Sequence, residues 1–154
     1  MPAWLLRGLG MAVLHGAAAT ILAKIAVLRP TDSTVSSSIV IALLIGAAAL
    51  WSAIDAWLRR TDLGRTWFIA ALVAGVVSAP LTVIGKAVFV DQTGASALGE
   101  ALTGGAAFTA LMVLIPAGLG MFVGGRLDPP GAGKKTDESR PAPDDQRASG
   151  EPAG

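Results

Sequence analysis

The chain has 154 residues, 53% of them hydrophobic and only 15% charged, with one histidine, no cysteine and a formal net charge of +1. A soluble domain carries about 25% charged residues, and a near-neutral balance excludes a strongly basic nucleic-acid binder. Without cysteine there is no disulfide, thiolate metal site or cysteine nucleophile, and a lone histidine provides no histidine cluster for a metal.

The first apolar stretch runs from Trp4 to Leu28. A helix needs about 20 mostly apolar residues to cross the hydrocarbon core, so this stretch is long enough. Arg7 ahead of an apolar run also fits a cleaved signal peptide. The run continues through Ile21, Leu22, Ile25 and Val27, however, and Lys24 interrupts the cleavage zone, so a retained helix is expected. Gly8, Ala12 and Gly16 recur at fourfold spacing and mark a packing face. His15 projects on nearly the same side as Ala12 and Ala19, into the bundle, where a neutral imidazole would relay protons, bond a cargo or simply bond a neighbouring carbonyl. Lys24 points the other way and reads as a snorkelling cation.

A turn composition at 29–36 precedes the second stretch, 37–58, whose small residues are Gly46 to Ala49, Ser52, Ala53 and Ala56. Asp55 lies near its end, four residues before Arg59. An i,i+4 ion pair is the economical reading, with Arg7 at similar depth as a competitor. A proton- or cation-binding carboxylate is the alternative.

The third stretch, 67–90, carries Ala71, Gly75 and Ala79 on one face, with Thr82 and Lys86 continuing it. Lys86 would line an outer vestibule, paired with Asp91 or Glu100, or would snorkel to the interface. Pro80 removes one backbone bond inside this helix and frees the carbonyl of Val76.

The fourth stretch, 101–125, repeats the pattern with Pro116, Gly120 and Gly124, and Pro116 frees the carbonyl of Met112. Two proline kinks in a small bundle mark moving parts, a cavity or static bends. Thr20, Ser52, Ser78, Thr82 and Thr109 add hydroxyls that line a polar path or satisfy their own helix backbones.

Short connections predict neighbouring antiparallel helices. The expected fold is therefore all-α: an integral membrane four-helix bundle over residues 1–127, with a disordered tail over 128–154 too polar to offset its ordering entropy. Arg7, Arg59, Arg60, Arg65, Arg126, Lys134 and Lys135 fall on one side, against Arg29, Lys24 and Lys86 on the other. The excess of Lys and Arg places both termini in the cytoplasm, and Trp4, Trp57 and Trp67 near the inner boundary. Trp4 and Trp67 open helices one and three, while Lys24 and Lys86 close them. This echo fits two parallel hairpin repeats or ordinary interface anchoring.

No phosphate-cradling loop, metal motif or nucleophile–base arrangement stands out, so neither an enzyme nor a cofactor is expected. The expected partners are the lipid bilayer, further copies of the chain or other membrane helices, and a small-molecule cargo.

Several segments resemble a known family. Trp4-Leu5-Leu6-Arg7-Gly8-Leu9 is similar to the opening of B-4DMT proteins, short four-helix actinobacterial relatives of the drug/metabolite transporters. Thr66-Trp67 through Ala74-Gly75-Val76-Val77-Ser78 is similar too. So are Ala106-Ala107-Phe108-Thr109-Ala110-Leu111, Ile115-Pro116 and Gly124-Gly125-Arg126. The resemblance implies a transporter-like protein of the inner membrane and brings no substrate or catalytic residues with it. The small multidrug transporters exchange protons through a glutamate embedded in helix one. This chain has His15 in that helix and no embedded glutamate. The rival expectation is a scaffold or accessory subunit whose small-residue faces bind partner helices.

Overall fold

The computed structural model describes residues 2–29, 31, 33–90 and 95–129. The described chain is helical, with four helices long and apolar enough to cross a membrane. Helix α1 spans Ala3–Leu28, α2 Ser33–Trp57 and α3 Leu63–Val90. The last span is built from a short α4 (Ala95–Glu100), a π-helical turn (Ala101–Gly105) and α5 (Ala106–Gly124), which follow one another without a break.

Three spans begin earlier than hydropathy alone predicts. Helix α2 takes in the hydroxyl residues from Ser33, α3 the turn from Leu63 to Thr66, and the last span the segment from Ala95. Polar residues at a helix start are satisfied by the interface, so a purely apolar count stops short of them. Pro80 and Pro116 both lie inside continuous helices. The expectation for the tail concerns residues of which only Asp128 and Pro129 are described, and Asp91 also lies outside the described residues.

The start of α1, the end of α2, the start of α3 and the end of α5 meet at one end of the bundle. Arg7 bonds Asp55, Trp67 bonds Asp55, and Arg59 bonds the carbonyl of Gly125. The helices therefore alternate in direction. Consecutive helices are thus antiparallel, as the short connections predict. The most extensive pairings are α1 with α3 and α2 with α5, which run the same way, whereas α2 and α3 barely touch.

Small residues explain those partners. A Cβ added at Gly8 would lie 2.9 Å from the side chain of Val73, and one at Gly16 2.9 Å from Leu81, so α1 seats directly on α3. At Gly120 and Gly124 the added atom would strike the carbonyls of Ala49 and Ala53, so α5 meets the bare backbone of α2. Lipid supplies no hydrophobic drive between helices, and such close approach gains dispersion contacts instead. Gly46 faces open space, so the small-residue run of α2 packs through Ala48, Ser52 and Ala56 and not through its glycine.

The interior holds Met11, Ala48, Trp67, Ala71, Ala74, Val113 and Ala117. Larger apolar side chains such as Leu43, Leu72, Ile84, Phe108 and Leu119 point outward. An apolar exterior around a small-residue core is the arrangement a bilayer solvent favours.

Helix α2 ends in a Schellman turn. The N–H of Arg59 bonds the carbonyl of Ala56, that of Arg60 bonds the carbonyl of Asp55, and Arg59 takes a left-handed φ of 53°. Left-handed backbone is unfavourable for a residue with a Cβ. Its compensation is that the Arg59 guanidinium donates to the carbonyls of Gly125 (2.9 Å) and Leu127 (3.1 Å), capping the end of α5.

Candidate functional site

At the end away from Arg7 and Asp55, a cavity of about 340 Å³ opens between α1, α3 and the last span. Ala19 supplies α1's wall. Ser78, Ala79, Thr82 and Lys86 descend along α3, and Glu100, Ala101, Gly105, Phe108 and Thr109 complete the lining. The period of a helix explains the α3 set, because residues three and four apart share a face. The π turn supplies Ala101 and Gly105, and such insertions are frequent at functional sites.

Ser78, Thr82, Lys86 and Thr109, each read from sequence as a pathway candidate, are thus brought together in one place. Their hydroxyls differ in availability. Ser78 donates to the carbonyl of Gly75 at 3.0 Å, as Thr20 does to Gly16 and Ser52 to Ala49. Among the described residues Thr82 and Thr109 have no such bond. Lys86 and Glu100 line the same cavity without pairing to each other. The arrangement therefore offers one cation, one anion and two uncommitted hydroxyls, beside the apolar ring of Phe108. It suits a small polar or amphipathic solute, and among the described residues no group of His, Asp and Glu gathers to hold a metal.

His15 is buried but lies outside the cavity wall, one helical turn below Ala19. Its Nδ1 is 2.9 Å from the carbonyl of Met11, so that nitrogen carries the proton and donates. Its Nε2 is then an acceptor, and it is buried with no partner among the described residues. The backbone bond expected of a structural histidine is present, and the second nitrogen is uncommitted.

Asp55 stands at the opposite end from the cavity, 3% exposed. Arg7 grips it through Nε at 2.6 Å and Nη2 at 2.7 Å, the indole N–H of Trp67 donates at 3.2 Å, and Arg60 approaches at 3.3 Å. The i,i+4 pairing with Arg59 is therefore corrected. The Schellman turn rotates Arg59 away toward α5, and Arg7 from α1 takes the carboxylate. Trp67 lies near the start of α3, at the end expected, but it does not present its ring to the interface. Its ring is fully buried, set edge-to-face against Trp51 at 6.2 Å, and its N–H is spent on Asp55. A signal for this was present, since Trp67 shares a helix face with Ala71, Ala74 and Ser78. Trp57, by contrast, is partly exposed and donates to the carbonyl of Asp128.

Neither a scan against protein-family models nor a search of curated proteins finds a match to this chain.

Proposed function

We propose that this chain is a small multi-pass transporter-like protein of the drug/metabolite transporter type, with both termini cytoplasmic, working as an oligomer in the inner membrane. The observation that carries this reading is the convergence of Ser78, Thr82, Lys86, Glu100 and Thr109 on one cavity. The resemblance of three segments to the B-4DMT proteins supports the class. The cavity is the outward-facing cargo site, with Lys86 and Glu100 at its mouth and the two free threonine hydroxyls deeper in. Pro80 and Pro116, each removing a backbone bond within a continuous helix, supply the places at which α3 and α5 bend to change access.

The test is flux into proteoliposomes containing only this protein, with a panel of labelled metabolites and dyes and with or without a pH gradient. Saturable flux that falls in Lys86→Met and Thr109→Val, at unchanged protein abundance, is the expected result. No saturable flux from folded protein, or flux indifferent to both substitutions, overturns the reading. The alternative, a scaffold or accessory subunit, is favoured by the state of Asp55. The one carboxylate within the four stretches is held by Arg7, Trp67 and Arg60, as a structural ion pair would be.

A further inference from the structure

A second polar cavity, of about 390 Å³, lies at the end of the bundle that holds Asp55. It is lined by Ala3, Arg7, Arg59, Arg60, Thr61 and Thr66. We propose that it binds the phosphate of an anionic phospholipid headgroup.

Charge is the first argument. Three arginines line this space, and the carboxylate beside them, Asp55, is already fully used. It accepts two bonds from Arg7 and one from Trp67, with Arg60 in contact as well. Asp62 in the connection and Arg65 in the first turn of α3, both exposed, offset each other in charge. Three positive groups against one negative leaves an excess of two at the cavity wall. Guanidinium is the side chain best matched to phosphate, because its planar fork donates to two oxygens at once.

Geometry is the second argument. Arg7 and Arg59 are held in place by bonds to the carbonyls of Ala3, Gly125 and Leu127, so neither guanidinium must be ordered by a ligand. Arg60 approaches Asp55 through Nε at 3.3 Å, and its side chain is 54% exposed, so its guanidinium is open to an incoming anion. Thr61 and Thr66 add hydroxyls that serve the remaining phosphate or glycerol oxygens.

Depth decides between a lipid and a dissolved anion. Helix α1 has 26 residues, about 39 Å at 1.5 Å per residue, against about 30 Å of hydrocarbon. Arg7, Arg59 and Arg60 gather at this end, which draws the surplus of about 9 Å here and sets the first turn at headgroup level, and Ala3 of that turn lines the cavity. The partly exposed ring of Trp57 lies at the same end, as amphipathic rings do at a membrane boundary. Basic pockets between helices at this depth are suited to anionic headgroups.

The experiment is thermal unfolding of the full chain in detergent, titrated with short-chain phosphatidylglycerol, short-chain phosphatidylcholine or inorganic phosphate. A ligand that binds the folded state raises the midpoint in a saturable way. Phosphatidylglycerol should do so and the other two should not. Arg60→Gln should weaken the apparent affinity about ten-fold, the worth of one charged hydrogen-bonded contact, and Thr66→Val should weaken it less. Arg65→Gln, an equal change of charge outside the cavity, should leave it unaltered. Equal stabilisation by phosphatidylcholine overturns the proposal in favour of apolar contact alone. Equal losses in Arg60→Gln and Arg65→Gln overturn it in favour of diffuse charge, and saturation by inorganic phosphate in favour of a free-anion site.

Discussion

The two ends of the bundle treat their polar groups in opposite ways. At the end built around Asp55, the buried polar groups and Arg59 are tied to another element, which leaves Arg60, Thr61 and Thr66 at the surface around them. Arg7 crosses from α1 to α2, Trp67 from α3 to α2, and Arg59 from α2 to the end of α5. At the other end Lys86, Glu100, Thr82 and Thr109 face a shared cavity and leave one another alone. A clamp holds four helix ends in register, and the groups spared from clamping are those a solute can recruit. The buried clamp and the polar cavity at Lys86 thus occupy opposite ends of the same helices.

Substitutions test that division, and the largest effect belongs to the clamp. Asp55→Ala strands a buried Arg7 cation and should cost about 3–5 kcal/mol of stability, measured by denaturant unfolding in detergent. Replacing both partners, as Arg7→Met with Asp55→Leu, should recover most of that loss. Next comes the seam between α2 and α5. Gly120→Ala sets a methyl against the carbonyl of Ala49 and should cost about 1–3 kcal/mol, read from the same unfolding curves. Arg59→Ala should cost about 1 kcal/mol through the two lost carbonyl bonds, far less than Asp55→Ala. A comparable loss in both would mean that Arg59 and not Arg7 neutralises the carboxylate. The smallest effect is expected at the cavity, where Lys86→Met and Thr82→Val should shift stability by no more than about 0.5 kcal/mol. A large loss at either position would erase the contrast between the two ends.

The parts of this structure legible in the sequence are those that depend on one helix at a time. Length and apolar content marked four spans, and the 3.6-residue period aligned Thr82 and Lys86 with Ala79 on one face of α3. Asp55 and Arg7 were recognisable as being at similar depth, because depth follows from counting along each helix. What sequence did not reveal depends on rotation and on partners. The Schellman turn that swings Arg59 toward α5 is set by one left-handed residue that is not glycine, so composition carries no sign of it. A tryptophan near a membrane boundary reads as an anchor, and only the nearby carboxylate shows why Trp67 turns inward. The π turn at Ala101–Gly105 leaves no hydropathy signature, since inserting a residue into a helix changes its facing and not its polarity.

The pairing of like-directed helices has a consequence for how the molecule is made. As the chain emerges, α1 and α2 are complete before their principal partners exist. Gly8 and Gly16 wait for Val73 and Leu81, and Ala49 and Ala53 wait for Gly120 and Gly124. Until then the early hairpin has few contacts of its own, among them the bridge between Arg7 and Asp55 and the seat of Gly10 against Trp51. Those few contacts would act as placeholders during synthesis, keeping two helices together until the second half of the chain arrives to interleave with the first.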